Sequence, residues 1–183
     1  GGSREYDFGS VYAADFLLEA QQAGYPVSEN RLNSLLKYLE RTLNNGLTDE
    51  NRGVHAYIAY VLTRARRTPR QWLLKLEENR DKLKTTARCH LANALFLASA
   101  QEDGLTILRQ TKLAEKVGRM QGGYLASGTR AMAVYLNTLM QIKPADSGIH
   151  VLAAKLVRSA GRKGRWSTTQ ENAWALMVLG KYA

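Results

Sequence analysis

The sequence predicts an all-α fold of two helical layers, the inner one apolar nearly all round and the outer one amphipathic. Three observations carry that expectation. Apolar residues recur at helical spacing along the 183 residues, and no convincing strand pattern occurs. Only three prolines interrupt the chain. The two kinds of helix alternate, and a helix without a polar face has to be buried on all sides.

Taken in order, Val11-Tyr-Ala-Ala-Asp-Phe-Leu-Leu-Glu-Ala20 is the first inner helix, closed by Gly24-Tyr25-Pro26, with Ser28 placed to cap the next one. Leu32, Leu35, Leu36, Leu39 and Leu43 then fall at offsets 0, 3, 4, 7 and 11, a single stripe with Arg31, Lys37, Glu40 and Arg41 on the opposite face. Asn44-Asn45-Gly46 ends that outer helix. Val54 to Leu62 is inner again, and Trp72, Leu73, Leu76 and Leu83 form a shorter outer stripe. Ala87 to Ala100 is inner; Leu105, Leu108, Leu113 and Val117 form a weaker outer stripe. A loop through Gln121-Gly-Gly-Tyr124 and Ser127-Gly128 leads to the inner helix from Ala131 to Ile142. Ile149, Leu152, Ala153, Leu156, Val157 and Ala160 make the last outer stripe. Thr168 and Glu171 stand at capping-box spacing before the final inner helix, Ala173 to Tyr182.

The inner helices begin at 11, 54, 87, 131 and 173, with spacings of 43, 33, 44 and 42. Tetratricopeptide arrays hold a fixed period of about 34 residues, so this irregularity argues against them. A solenoid would also leave the inner helices too apolar for a solvated concave face. A two-layer ring buries one kind of helix and wets one side of the other, and that architecture is the α/α toroid.

Length bounds a single domain, 1–183, large enough to bury roughly 70% of its unfolded surface. With 45% apolar and 23% charged residues, it is neither disordered nor a membrane protein. No apolar run approaches the ~20 residues needed to cross a bilayer, and no secretory leader opens the chain. The last residues stop inside an apolar helical pattern, so the sequence reads as an excerpt of something longer. Twenty-six Lys and Arg against 16 Asp and Glu give a net charge of +10. The densest basic stretches are Arg64, Arg66, Arg67 and Arg70, then Arg158, Arg162, Lys163 and Arg165. Both fall at expected helix C-termini, where cations are favoured, and neither interleaves aromatics as a nucleic-acid platform would. No nucleic-acid or membrane partner is expected.

Candidate chemistry is sparse. Asp15 and Glu19 lie four residues apart on one helix face, the arrangement of an acid–base couple in glycoside chemistry. The plainer expectation is two acids at a helix end facing water. Cys89 and His90 are neighbours, but adjacent helical residues point about 100° apart, so they form no catalytic pair. Cys89 lies in an apolar helix, where a thiol serves as a small hydrophobe. His55, His90 and His150 lack metal-ligand spacing, a single cysteine excludes an internal disulfide, and no Gly-rich phosphate loop occurs. No catalytic, metal or cofactor residue is therefore assigned.

The strongest signal is the run Trp166-Ser-Thr-Thr-Gln-Glu-Asn-Ala-Trp-Ala-Leu-Met-Val-Leu-Gly-Lys-Tyr-Ala183. It closely resembles the end of the thioester domain of alpha-2-macroglobulins, where a Trp-Ser-Thr turn with a following Gln opens the last inner helix. The form Asn172-Ala-Trp-Ala-Leu176 looks most like the bacterial branch. Tyr12 to Ala20, followed by Gly24-Tyr25-Pro26-Val27, is similar to an earlier inner helix of that domain. The resemblance spans essentially the whole chain, with specific motifs near its two ends. It implies the C-terminal portion of a thioester domain, an α/α toroid within a protease trap. In such traps, bait cleavage exposes an internal Cys–Gln thioester, which a nucleophile on the protease attacks. Implied partners are proteases and neighbouring macroglobulin or complement-like domains of the same chain. The implied location is the periplasm, the cell envelope or the exterior.

The sequence departs from that family at the decisive point. The thioester needs Cys-x-x-Gln, whereas Cys89 is followed by His90, Leu91 and Ala92. Related proteins can also carry a transfer-assisting His in the loop before an inner helix. Here that loop, Asn44 to Arg52, has none, and the role is not carried onto His55. The expectation is a scaffold without catalysis of its own; the inner helices missing from its ring leave apolar faces uncovered, so that it recloses or self-associates. Two alternatives stand beside it: a toroid enzyme using Asp15 and Glu19 on polysaccharide or isoprenoid substrates, and a basic helical binding scaffold. Toroid enzymes place carboxylates on inner helices, but no Asp-rich cluster of the cyclase kind occurs.

Overall fold

The computed structural model describes residues 2–113, 127–161 and 164–183. Among the described residues lie nine α-helices and no strand: α1 (Gly2–Gln22), α2 (Glu29–Leu43), α3 (Arg52–Arg64), α4 (Arg70–Glu78), α5 (Thr85–Leu97), α6 (Gln101–Gln110), α7 (Gly128–Ile142), α8 (Gly148–Arg158) and α9 (Thr169–Tyr182), with a 3-10 turn at Arg80–Lys82. They gather into two compact units, Gly1–Ile107 and Leu108–Ala183.

In the first unit α1, α3 and α5 lie side by side, α2 packs across α1 and α3, and α4 across α3 and α5. Every residue of α3 from His55 to Thr63 is buried, as is every residue of α5 from Cys89 to Leu95. The outer helices bury single stripes: Leu32, Leu36, Leu39 and Leu43 in α2, Leu73 and Leu76 in α4. Each fully buried leucine contributes about 1.5–3 kcal/mol of hydrophobic stabilisation, which gives α2 the largest share among the outer helices described. In the second unit α7 packs on α9, and α8 covers both with Ile149, Ala153 and Leu156.

Helix ends explain several departures from the expected elements. The α1 terminus closes as expected, with Gly24 at φ 83° and the Tyr25 N–H donating to the Ala20 carbonyl. Two other inner helices make the same closure without glycine. Arg66 at φ 60° ends α3, with the Arg67 N–H donating to Leu62, and Ser99 at φ 70° ends α5, with the Ala100 N–H donating to Leu95. The Ser99 turn stops α5 three residues short of the apolar run that extends to Ala100. Leu83 stays buried, but beyond the 3-10 turn in extended backbone rather than on α4. Ser28 occupies the N-cap of α2 without a side-chain cap bond. Val157 is exposed instead of joining the α8 stripe.

The expectation that every inner helix is enclosed fails at α1 and α9. Phe16 on α1 is 64% exposed and Leu176 on α9 is 62% exposed. Val117, Gln121 to Tyr124, Arg162 and Lys163 lie outside the described residues.

Candidate functional site

Asp15 and Glu19 do not form an open carboxylate pair. Asp15 is buried, accepts a hydrogen bond from the Tyr57 hydroxyl at 2.6 Å, and is paired with the Arg64 guanidinium. Arg64 also reaches Glu19 at 2.9 Å and the Gln22 amide oxygen at 3.2 Å, and lies over the Tyr60 ring. Burial pushes the Asp15 carboxyl above its ordinary range, against the opposing pull of Arg64 and the Tyr57 hydroxyl. Both carboxylates are thus bound to one guanidinium that ties α1 to the end of α3. The expectation that they face water is overturned for Asp15, since its helix face lies against α3. No sign in the sequence marks Tyr57 and Arg64 as defining this cluster, Arg64 standing there only in a basic stretch: partners 42 and 49 residues away emerge only from helix packing.

The histidines separate into three environments. His90 is buried and stacks on Tyr57 with ring centroids 4.2 Å apart. His55 is buried edge-on to Trp72, and loss of hydration lowers its pKa to about 4, against a smaller opposing effect of Asp7. His150 is exposed, with Nδ1 2.8 Å from the Tyr182 hydroxyl. Cys89 is fully buried in α5, as its apolar context predicts. No three His, Cys, Asp or Glu gather at one point among the described residues, and no described helix is long and apolar enough to cross a membrane.

The Trp166 segment is the most organised connection. Asn172 accepts from the Trp166 N–H at 3.1 Å and donates to the carbonyls of Trp166 at 2.9 Å and Thr168 at 2.7 Å. The Trp166 indole N–H donates to the Ser159 hydroxyl at 2.9 Å, pinning the loop to the end of α8. Thr168 and Glu171 form the expected capping box, with the Thr168 N–H donating to Glu171 at 3.0 Å and the Glu171 N–H to Thr168 at 3.2 Å. The motif therefore has a physical reason. Trp supplies a buried anchor, Thr the cap, Glu its reciprocal acceptor, and Asn a three-bond clamp across the turn. Beside it opens a cavity of about 560 Å³ lined by Thr129, Arg165, Ser167, Thr168 and Thr169 among others. A second cavity, of about 450 Å³, lies between α2 and the end of α3 and is bordered by Glu29, Arg64, Arg66 and Arg67.

No protein-family model and no curated protein sequence matches the chain. Solved structures do. The crystal structure of Salmonella alpha-2-macroglobulin reacted with methylamine matches with a TM-score of 0.80 and 23% identity, over 95% of this chain and 12% of that one. The cryo-EM structure of native E. coli alpha-2-macroglobulin matches with a TM-score of 0.76 and 23% identity, again over 95% and 12%. The likeness is one of fold, and it bears out the α/α-toroid class expected from the alternating helices. The chain has the fold of a segment of the bacterial alpha-2-macroglobulins and spans about an eighth of their length.

Proposed function

We propose that the chain is a portion of the thioester domain of a bacterial alpha-2-macroglobulin-like protease trap, acting as scaffold and performing no catalysis with its own residues. The observation that carries this reading is the fold likeness over 95% of the chain. The Trp166–Glu171 turn supports it independently, because there the resembling motif coincides with a closed hydrogen-bond network. The buried ion cluster of Asp15 and Glu19 counts against the toroid-enzyme alternative, since neither carboxylate is presented to a substrate. On this reading the partners are proteases and adjoining domains of the same larger protein, in the periplasm or outside the cell.

The test uses the longer protein that contains this chain, incubated with an endopeptidase. A trap should be cut at one exposed segment and afterwards block the protease on large substrates while small peptides are still hydrolysed. Undiminished digestion of large substrates would sink the reading. Labelled methylamine separates two kinds of trap: incorporation marks a thioester outside these 183 residues, and its absence leaves a steric trap. The label would sit on the glutamyl carbonyl of that thioester, with its cysteine released as a thiol, and on no residue of this chain, where Cys89 is buried and followed by no glutamine at the required spacing.

A further inference from the structure

We propose that the cavity beside Trp166 is a docking site for an acidic side chain of a polypeptide partner, held by Arg165 together with the hydroxyls of Ser167, Thr169 and Thr129. Nine of the described residues line the cavity of about 560 Å³, and none of these nine is Asp or Glu. The polar groups that build its wall are turned inward. Asn172 is committed to Trp166 and Thr168, the Ser159 hydroxyl to the Trp166 indole and the Leu156 carbonyl, and Glu171 to the Thr168 N–H. What remains on the lining is Arg165, exposed and with no side-chain ion pair or hydrogen bond among the described residues, together with Ser167, Thr169 and the half-buried Thr129, which carry hydroxyls.

The described residues of the loop are tied to one another and to the helix below without any ligand. Gly161 donates to the Arg165 carbonyl at 3.0 Å, Gly164 turns at φ 67°, and Trp166 is anchored below. A partner therefore does not have to order these residues, which removes one of the usual costs of binding. A single guanidinium balances one carboxylate and matches its planar fork, whereas a phosphate would leave charge uncompensated. The same connection carries Arg158, Arg162 and Lys163 in sequence, which favours an acidic approach. The inference stands on this loop alone and not on the protease-trap reading, so the two can fail separately.

The experiment uses the whole chain with nitrogen-15-labelled tryptophan. The Trp166 indole resonance, identified by its loss in Trp166→Phe, reports on the cavity. A capped peptide of alternating Gly and Glu, titrated at low salt, should shift that resonance to saturation. The Gln version of the peptide and the Arg165→Gln chain should each weaken binding by at least about tenfold, the loss expected for one charge-assisted hydrogen bond. Absence of a shift overturns the proposal, as do equal responses to the Glu and Gln peptides or a titration unchanged in Arg165→Gln. Inorganic phosphate binding as tightly as the Glu peptide overturns it too, in favour of a free-anion site.

Discussion

Burial raises the Asp15 carboxyl although Arg64 and Tyr57 both favour its charged form, so desolvation outweighs the pair. Breaking such a pair from one side is nonetheless costly, because it strands the other charge. Asp15→Asn should lose about 3 kcal/mol in denaturant unfolding, while Asp15→Asn combined with Arg64→Gln should lose less than the sum of the two single changes, with Glu19 left unpaired as in the Arg64 single. A double variant as damaged as the sum of the singles would show that the pair contributes nothing jointly. His55 acts through pH. Its folded pKa of about 4 lies below the ordinary 6.5, so the unfolded chain binds the extra proton between those values. That contribution is complete above pH 6.5 and is lost as pH falls toward 4. Within that window the stability drops by about 1.4 kcal/mol for each step of one in pH. Asp15, with its raised pKa, works in the opposite sense and is favoured by acid. His55→Gln should flatten the acid limb of a stability–pH curve, and an unaltered limb would place the proton uptake elsewhere.

Among the elements, α6 is held against α5 by an absence. A β-carbon at Gly104 would stand 2.7 Å from the Ala92 carbonyl oxygen and 3.2 Å from the Phe96 nitrogen. Both neighbours are backbone and cannot swing aside. Helix propensity alone makes Gly→Ala favourable by about 1 kcal/mol, yet overpacking of this kind costs about 1–3 kcal/mol. Gly104→Ala should therefore destabilise the chain in thermal melts, and a gain in stability would show that the helices separate freely. The same scale shows how legible the fold is in the sequence. The helices follow from periodicity because burial imposes it, and Gly24 marks the end of α1 because only the backbone conformation matters there. Arg66 and Ser99 adopt the same left-handed turn with no glycine to announce it, so periodicity alone carries α5 past its true end. Gly104, a helix breaker by composition, gives no hint that its missing side chain serves contact.

For the whole molecule the charge of +10 acts as a collective term. Arg52, Arg64, Arg67, Arg88 and Lys143 each pair with an acid, but 26 basic groups cannot all be matched by 16 acidic ones. Self-repulsion should destabilise the chain at low ionic strength. Going from about 0.01 M to about 0.1 M salt shortens the screening length from about 30 Å to about 10 Å and should raise the melting temperature by about 2–4 °C. A fall would mean that the ion pairs, and not the excess, dominate. Function is legible at this scale only through the Trp166 motif. Its network is local, Trp166 and Asn172 being six residues apart, so sequence can display it. The Asp15 cluster is assembled across two helices far apart in the chain, and sequence cannot.

The Asn172 clamp has a kinetic side. The Trp166 amide belongs to no helix, yet its hydrogen is held by a side chain that cannot let go without also releasing two carbonyls. Hydrogen exchange at Trp166 should therefore be slow, closer to that of the α9 interior than to that of a surface loop, and Asn172→Ala should make it fast. In that case the connection opens with the helix and not before it. The turn between α8 and α9 would then behave as the first rung of α9, one that sequence writes as a loop and solvent experiences as core.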